Sequence, residues 1–124
     1  MLKSKLSRSL LSLAVVATFA APLPAFAFGS LAIRSNHGGQ FGWARGYATK
    51  DEADEAALQQ CGADCTVVLQ FWDGCGAYAA DQDSDSTVYG WGAGHTRSEA
   101  ENRAITECTS QGGSTCVVKV WSCE

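Results

Sequence analysis

The chain has 124 residues, 46% hydrophobic and 18% charged, with thirteen glycines, two prolines and six cysteines, so one small globular domain is the expectation. That composition excludes collagen, a coiled coil and a disordered tail. A formal net charge of −4 and a pI near 5.0 leave no basic footprint for gripping phosphates, so nucleic acid is not an expected partner.

The chain opens with Lys3, Lys5 and Arg8, continues with an apolar run from Leu10 to Ala20, and then reaches Ala25-Phe26-Ala27. This is the layout of a secretory signal peptide over 1–27, with cleavage expected after Ala27 and a single mature domain over 28–124. About eleven apolar residues, at about 1.5 Å each, fall short of the roughly 20 that cross a bilayer, so no membrane span is expected. Phe28, after the cut, offers no thiol for a lipid. Removing 27 of the 124 residues takes three of the nine basic residues and none of the thirteen acidic ones, leaving 97 residues with a formal charge of −7. The expected location is the periplasm or the medium.

In chain order, residues 30–35 read as a short strand, 36–39 as a polar turn, and the segment around Phe41-Gly42-Trp43 as a second strand. Thr49 and Glu52 form a capping box, in which each side chain can satisfy the other's backbone N–H. The helix it opens carries Ala53, Ala57, Leu58 and Cys61 at helical spacing, a narrow small-residue face suited to close packing on a sheet. Gly62 can end that helix, and the β-branched run from Thr66 to Phe71 reads as a third strand. The order then repeats. Residues 29–75 align with 76–123: Phe41-Gly42-Trp43 faces Tyr89-Gly90-Trp91, and the Thr49 box faces Thr96 with Glu99. Likewise Ala53, Ala57 and Cys61 face Ala100, Ala104 and Cys108, while Cys65 faces Cys116 and Trp72 faces Trp121. The expected fold is α+β, a tandem ββαβ repeat with two helices on an antiparallel sheet and pseudo-twofold symmetry. Units of about 47 residues are too small to stand alone, so the two halves should share one core.

All six cysteines, Cys61, Cys65, Cys75, Cys108, Cys116 and Cys123, fall in the mature part. An even count in an exported chain points to three disulfides. Zinc is not expected: Cys61 and Cys65 have the spacing of a ligand pair, but their counterparts Cys108 and Cys116 stand too far apart. Fifteen pairings are open in principle. Cys65 and Cys75 flank one extended strand, as do Cys116 and Cys123, and neither pair can close to the roughly 5–6 Å a disulfide needs. Symmetry then favours Cys61–Cys65, Cys108–Cys116 and, across the units, Cys75–Cys123.

Asp81, Asp83 and Asp85 alternate like the start of a calcium loop, but Ser86 and Gly92 stand where the turn glycine and the bidentate glutamate belong, so a solvated hairpin tip is the reading. His37 and His95 read as ordinary loop histidines; Asp73 or Asp81 could orient one of them as a base, but no nucleophile elbow or carboxylate pair accompanies them. Gly42–Gly46 and Gly90–Gly94 follow neither phosphate-loop pattern, and bent or bulged strands explain them. Four indoles exceed what 97 residues readily bury. Trp43 or Trp91, with Tyr47, Tyr78 or Tyr89, is therefore the candidate for a partly exposed aromatic patch facing a protein or glycan.

The ordered pattern of an aromatic-Gly-Trp strand, an Ala-Leu-x-x-Cys helix, a Cys-x-Val-Val strand and a closing cysteine resembles a bacterial exported family termed domain of unknown function 4189. The resemblance covers nearly all of residues 29–123 and implies a small secreted or periplasmic protein, with no catalytic residues to carry over. No cofactor is expected. The function expected is that of a non-enzymatic, disulfide-rich protein-binding module, an inhibitor or immunity-type protein, whose acidic surface suits a basic protein partner. Its candidate surface comprises Trp43, Trp91, Tyr47, Tyr89 and His95. The alternatives are a secreted effector or small hydrolase with a site near His95 and Asp81–Asp85, and a purely structural envelope component.

Overall fold

A computed structural model describes residues 26–34 and 37–124; the proposed signal peptide lies outside the described residues except for Phe26 and Ala27. The first unit runs β1 (Phe28–Arg34), β2 (His37–Tyr47), α1 (Lys50–Cys61) and β3 (Cys65–Phe71). The second runs β4 (Cys75–Asp81), β5 (Tyr89–Gly94), α2 (Arg97–Ser110) and β6 (Cys116–Cys123). The fold is therefore α+β, with ββαβ in tandem. It has two antiparallel three-stranded sheets, β2-β1-β3 and β5-β4-β6, rather than the one sheet expected. The cause is that β1 and β4 each spend both edges on strands of their own unit, so the units meet face to face instead of edge to edge. The first hairpin is also tighter than expected: His37 already pairs with Arg34, so the ladder takes up residues assigned to the turn.

Side chains alternate across a strand, and here both faces of the central strands are covered. Ala32 and Ala44 pack against Ala53, Ala57 and Cys61 of α1, while Cys75, Ala77 and Ala79 pack against Ala100, Ala104 and Cys108 of α2. The opposite faces meet each other through Leu31, Ile33, Tyr78 and Ala80, flanked by Phe41, Trp43, Tyr89 and Trp91. The layers are thus helix, sheet, sheet, helix, with a core shared between the units. Helices with alanine and cysteine faces lie close to their sheets. A methyl added at Gly42 would collide with backbone atoms of Ala57 and Cys61, and one at Gly90 with those of Cys108 and Ala104. Close approach, not a bulge, accounts for the glycines of β5, whose ladder to β4 is regular. A register shift does occur between Phe28 and Ser30 in the β1–β2 ladder, beside Gly46 at φ 75°.

Both helices start as the capping pattern indicates: Glu52 N–H donates to Thr49 Oγ1 and Glu99 N–H to Thr96 Oγ1, each at 3.2 Å. The return arm differs. Glu99 Oε2 accepts from the N–H of His95, one residue before the cap, at 2.8 Å. Gly62 closes α1 at φ 94°, donating its N–H to Leu58 O.

Three disulfides join Cys61 to Cys65, Cys108 to Cys116 and Cys75 to Cys123. The last links the start of β4 to the end of β6, so the pairing is as expected but lies within the second unit instead of crossing between units, because Cys75 opens β4; hydrogen bonds around it tie the units together. Trp43 Nε1 donates to Ser122 Oγ at 3.1 Å, Gly46 N–H donates to Glu124 Oε1 at 3.0 Å, and Gly74 and Glu124 exchange two backbone bonds.

Candidate functional site

The aromatic residues singled out by the sequence do not form one patch. Tyr78 is fully buried between the sheets, where burial, and secondarily Tyr89, pushes its phenol above the ordinary range and keeps it neutral. Tyr47 packs on the opposite side of its sheet, against the α1 core. Trp43 and Trp91 occupy equivalent ladder positions, opposite Leu31 and Tyr78, and both are half-buried at the sheet–sheet seam. Tyr89 stacks on Trp91 with ring centroids 6.0 Å apart.

The more exposed indoles are Trp72 and Trp121, at 44% and 38%. They are not ladder equivalents. Phe71 pairs with Gly29 and Ser122 with Gly76, so Trp121 corresponds to Gln70, and Trp72 follows the last pair of its ladder. Each nevertheless lies under the cation that begins its unit's helix: Lys50 Nζ is 3.8 Å from the Trp72 ring centre, and the Arg97 guanidinium 3.9 Å from that of Trp121. The substitution of Gln70 by Trp121 changes the local chemistry. In the first unit Asp54 accepts from Ser30 Oγ at 2.5 Å and from Gln70 Nε2 at 2.6 Å. In the second, Arg97 covers the indole and pairs with Glu101, the counterpart of Asp54.

His95 and Asp81–Asp85 cannot form one site. Cys75 pairs with Gly94 and Ala80 with Tyr89, so His95 lies at one end of β4 and the acidic loop at the other, about 20 Å away at 3.4 Å per residue. The side chain of His37 lies outside the described residues. The acidic loop uses its carboxylates internally. Asp81 Oδ1 accepts from the N–H groups of Asp83 and Thr115, and Asp83 accepts from Ser114 Oγ. The Ser86 hydroxyl, together with these N–H groups, holds the Asp81 carboxyl below the usual carboxylate range. Among the described residues no three His, Cys, Asp or Glu side chains gather as a metal site.

A groove follows the outer edge of β5. Three depressions of about 310, 530 and 260 Å³ share residues in sequence: Ala93 and Arg103 join the first to the second, and Trp91 and Glu107 join the second to the third. Trp72, Asp73, His95 and Glu99 line one end, Leu69 of β3 faces the middle, and Tyr89 and Gln111 line the other end. Arg103 Nη1 donates to Ala93 O at 2.9 Å, and Gln111 Nε2 donates to Glu107 Oε1 at 3.3 Å. His95 of the candidate surface thus falls in this groove with Trp91 and Tyr89, whereas Tyr47 does not. Arg103, Glu107 and Trp72 were not singled out by the sequence; an outward-facing charge on a helix carries no signal until the neighbouring strand edge is known.

Fold and groove define a duplicated, disulfide-stapled α+β domain of helix–sheet–sheet–helix layers with a polar-rimmed aromatic groove along one strand edge. The chain belongs to the family described as domain of unknown function (DUF4189), whose model matches residues 28–123. No curated protein and no solved structure matches it.

Proposed function

We propose that this protein is an exported, non-enzymatic protein-binding module of the inhibitor or immunity type. The carrying observation is the β5 groove, in which half-buried aromatic rings sit beside charged groups, the composition that contributes most at protein interfaces. Export is supported by the leader-like order of 1–27 and by three disulfides, which persist in oxidising compartments. No helix among the described residues is long and apolar enough to cross a membrane. The separation of His95 from Asp81–Asp85 removes the geometry on which a hydrolase reading depended.

The test is capture of envelope proteins by the oxidised domain, followed by titration of the purified partner. The expected result is a one-to-one complex whose affinity falls between 50 and 500 mM salt, as opposite charges are screened, and falls at least tenfold in Trp91→Ala. Absence of a partner at both salt concentrations overturns the reading.

A further inference from the structure

We propose that the outer edge of β5 takes an extended polypeptide segment with basic side chains, which adds as a fourth strand to the β5-β4-β6 sheet. This rests on the protein-binding reading above and specifies its surface and mode. In an antiparallel strand the N–H and C=O of one residue point the same way, and the direction alternates along the chain. The bond from Arg103 to Ala93 O, on the side away from β4, therefore marks Ala93 as outward-facing. Trp91 and Tyr89 share that direction, because the β5 ladder is regular.

The equivalent edge in the first unit is closed. Trp43 N–H donates to Gln60 Oε1 at 3.0 Å, and Gly46 N–H to Glu124 Oε1. At the position of Gln60 the second unit has Glu107, whose Oε1 instead accepts from Gln111 Nε2, and among the described residues no side chain caps the Trp91 N–H. The duplicated domain thus caps an edge N–H in one unit and leaves the matching Trp91 N–H uncapped in the other; Arg103 takes only the Ala93 carbonyl, so the remaining edge groups of β5 are a template for strand addition. The groove runs the six residues of β5, about 20 Å at 3.4 Å per residue, enough for a segment of similar length. Asp73, Glu99 and Glu107 line the groove against one guanidinium, that of Arg103, so the balance of charge along it is negative and favours lysine or arginine on a ligand.

The probe is a fluorescein-labelled hexapeptide of alternating lysine and valine, titrated into the oxidised protein at 50 mM salt, with anisotropy and amide NMR as readouts. The expected result is saturable binding, with the Trp91 and Ala93 amide signals shifting and gaining protection from exchange while Trp43 stays unchanged. Methylating the internal amides of the peptide, or replacing its lysines by glutamate, should each weaken binding at least tenfold. Ala93→Pro, which deletes an edge N–H where proline is tolerated, should do the same; Glu107→Lys, expected to weaken binding at least fivefold, serves if that variant does not fold. Equal binding of the methylated peptide, or unmoved Trp91 and Ala93 signals, overturns the proposal. A natural partner that binds Ala93→Pro and the parent alike overturns strand addition but leaves the protein-binding reading intact. Hexapeptide binding as expected, with no natural protein partner, does the reverse.

Discussion

Asp81 illustrates how a residue type can be legible and its role not. Its alternation with Asp83 and Asp85 suggested a cation loop or a solvated tip, yet its carboxylate organises the loop by accepting bonds from Asp83, Thr115 and Ser86. Those donors favour the ionised form, so the folded-state pKa lies below the unfolded value of about 3.9. The contribution to stability is complete above that value and is lost as pH falls through the lower, folded pKa. Asp81→Asn should therefore unfold at lower urea than the parent at pH 7, with the gap narrowing below about pH 4; a gap independent of pH would contradict the assignment. The tryptophans show the same limit. Trp72 and Trp121 look like repeat partners by their nearness to cysteines, but register makes Gln70 the counterpart of Trp121. The two ladders slip at equivalent points, between Leu31 and Ala32 and between Tyr78 and Ala79, so the ungapped run from Cys65 and Cys116 holds and sets Gln70 against Trp121; the tryptophan-and-cysteine endings alone suggest otherwise.

At the scale of elements, the sequence is most legible where the determinants are local. Cap residues and small-residue periodicity identify α1 and α2 because a helix satisfies its own backbone, and both Thr49 and Thr96 cap as read. The glycines of β2 and β5 suggest bends in the sequence, since their cause, the helix backbone lying over Gly42 and Gly90, is a contact between elements. Interiors are packed too tightly to absorb an added methyl at such a point. Gly42→Ala and Gly90→Ala should each cost about 1–3 kcal/mol, measured by urea denaturation. Gly39→Ala, where an added methyl meets nothing within 4 Å, serves as the comparison and should cost clearly less.

For the molecule as a whole, stability depends on joining two units that are each too small to bury a complete core. The Leu31–Tyr78 layer supplies the shared apolar surface, and Cys75–Cys123 closes the second unit beside the residues that touch the first. The chain-entropy cost of a crosslink grows with the loop it closes. With sequence separations of 48 and 4, removing Cys75–Cys123 should cost about 4 kcal/mol and removing Cys61–Cys65 about 2. Paired Cys→Ser variants compared by urea denaturation check this order; equal losses would show that native contacts, not loop closure, set the effect.

The sequence alone determined the α+β class, the duplication, the two capped helices and the family resemblance, because propensity, capping and periodicity act over a few residues and recur in both units. Tertiary structure decided the rest: that there are two sheets, that they meet face to face, that His95 and Asp81 lie at opposite ends, and that a side chain caps the Trp43 N–H while, among the described residues, none caps that of Trp91. Those properties depend on strand register and on which side chain reaches across to another element. Such distances exist only after the chain has closed on itself.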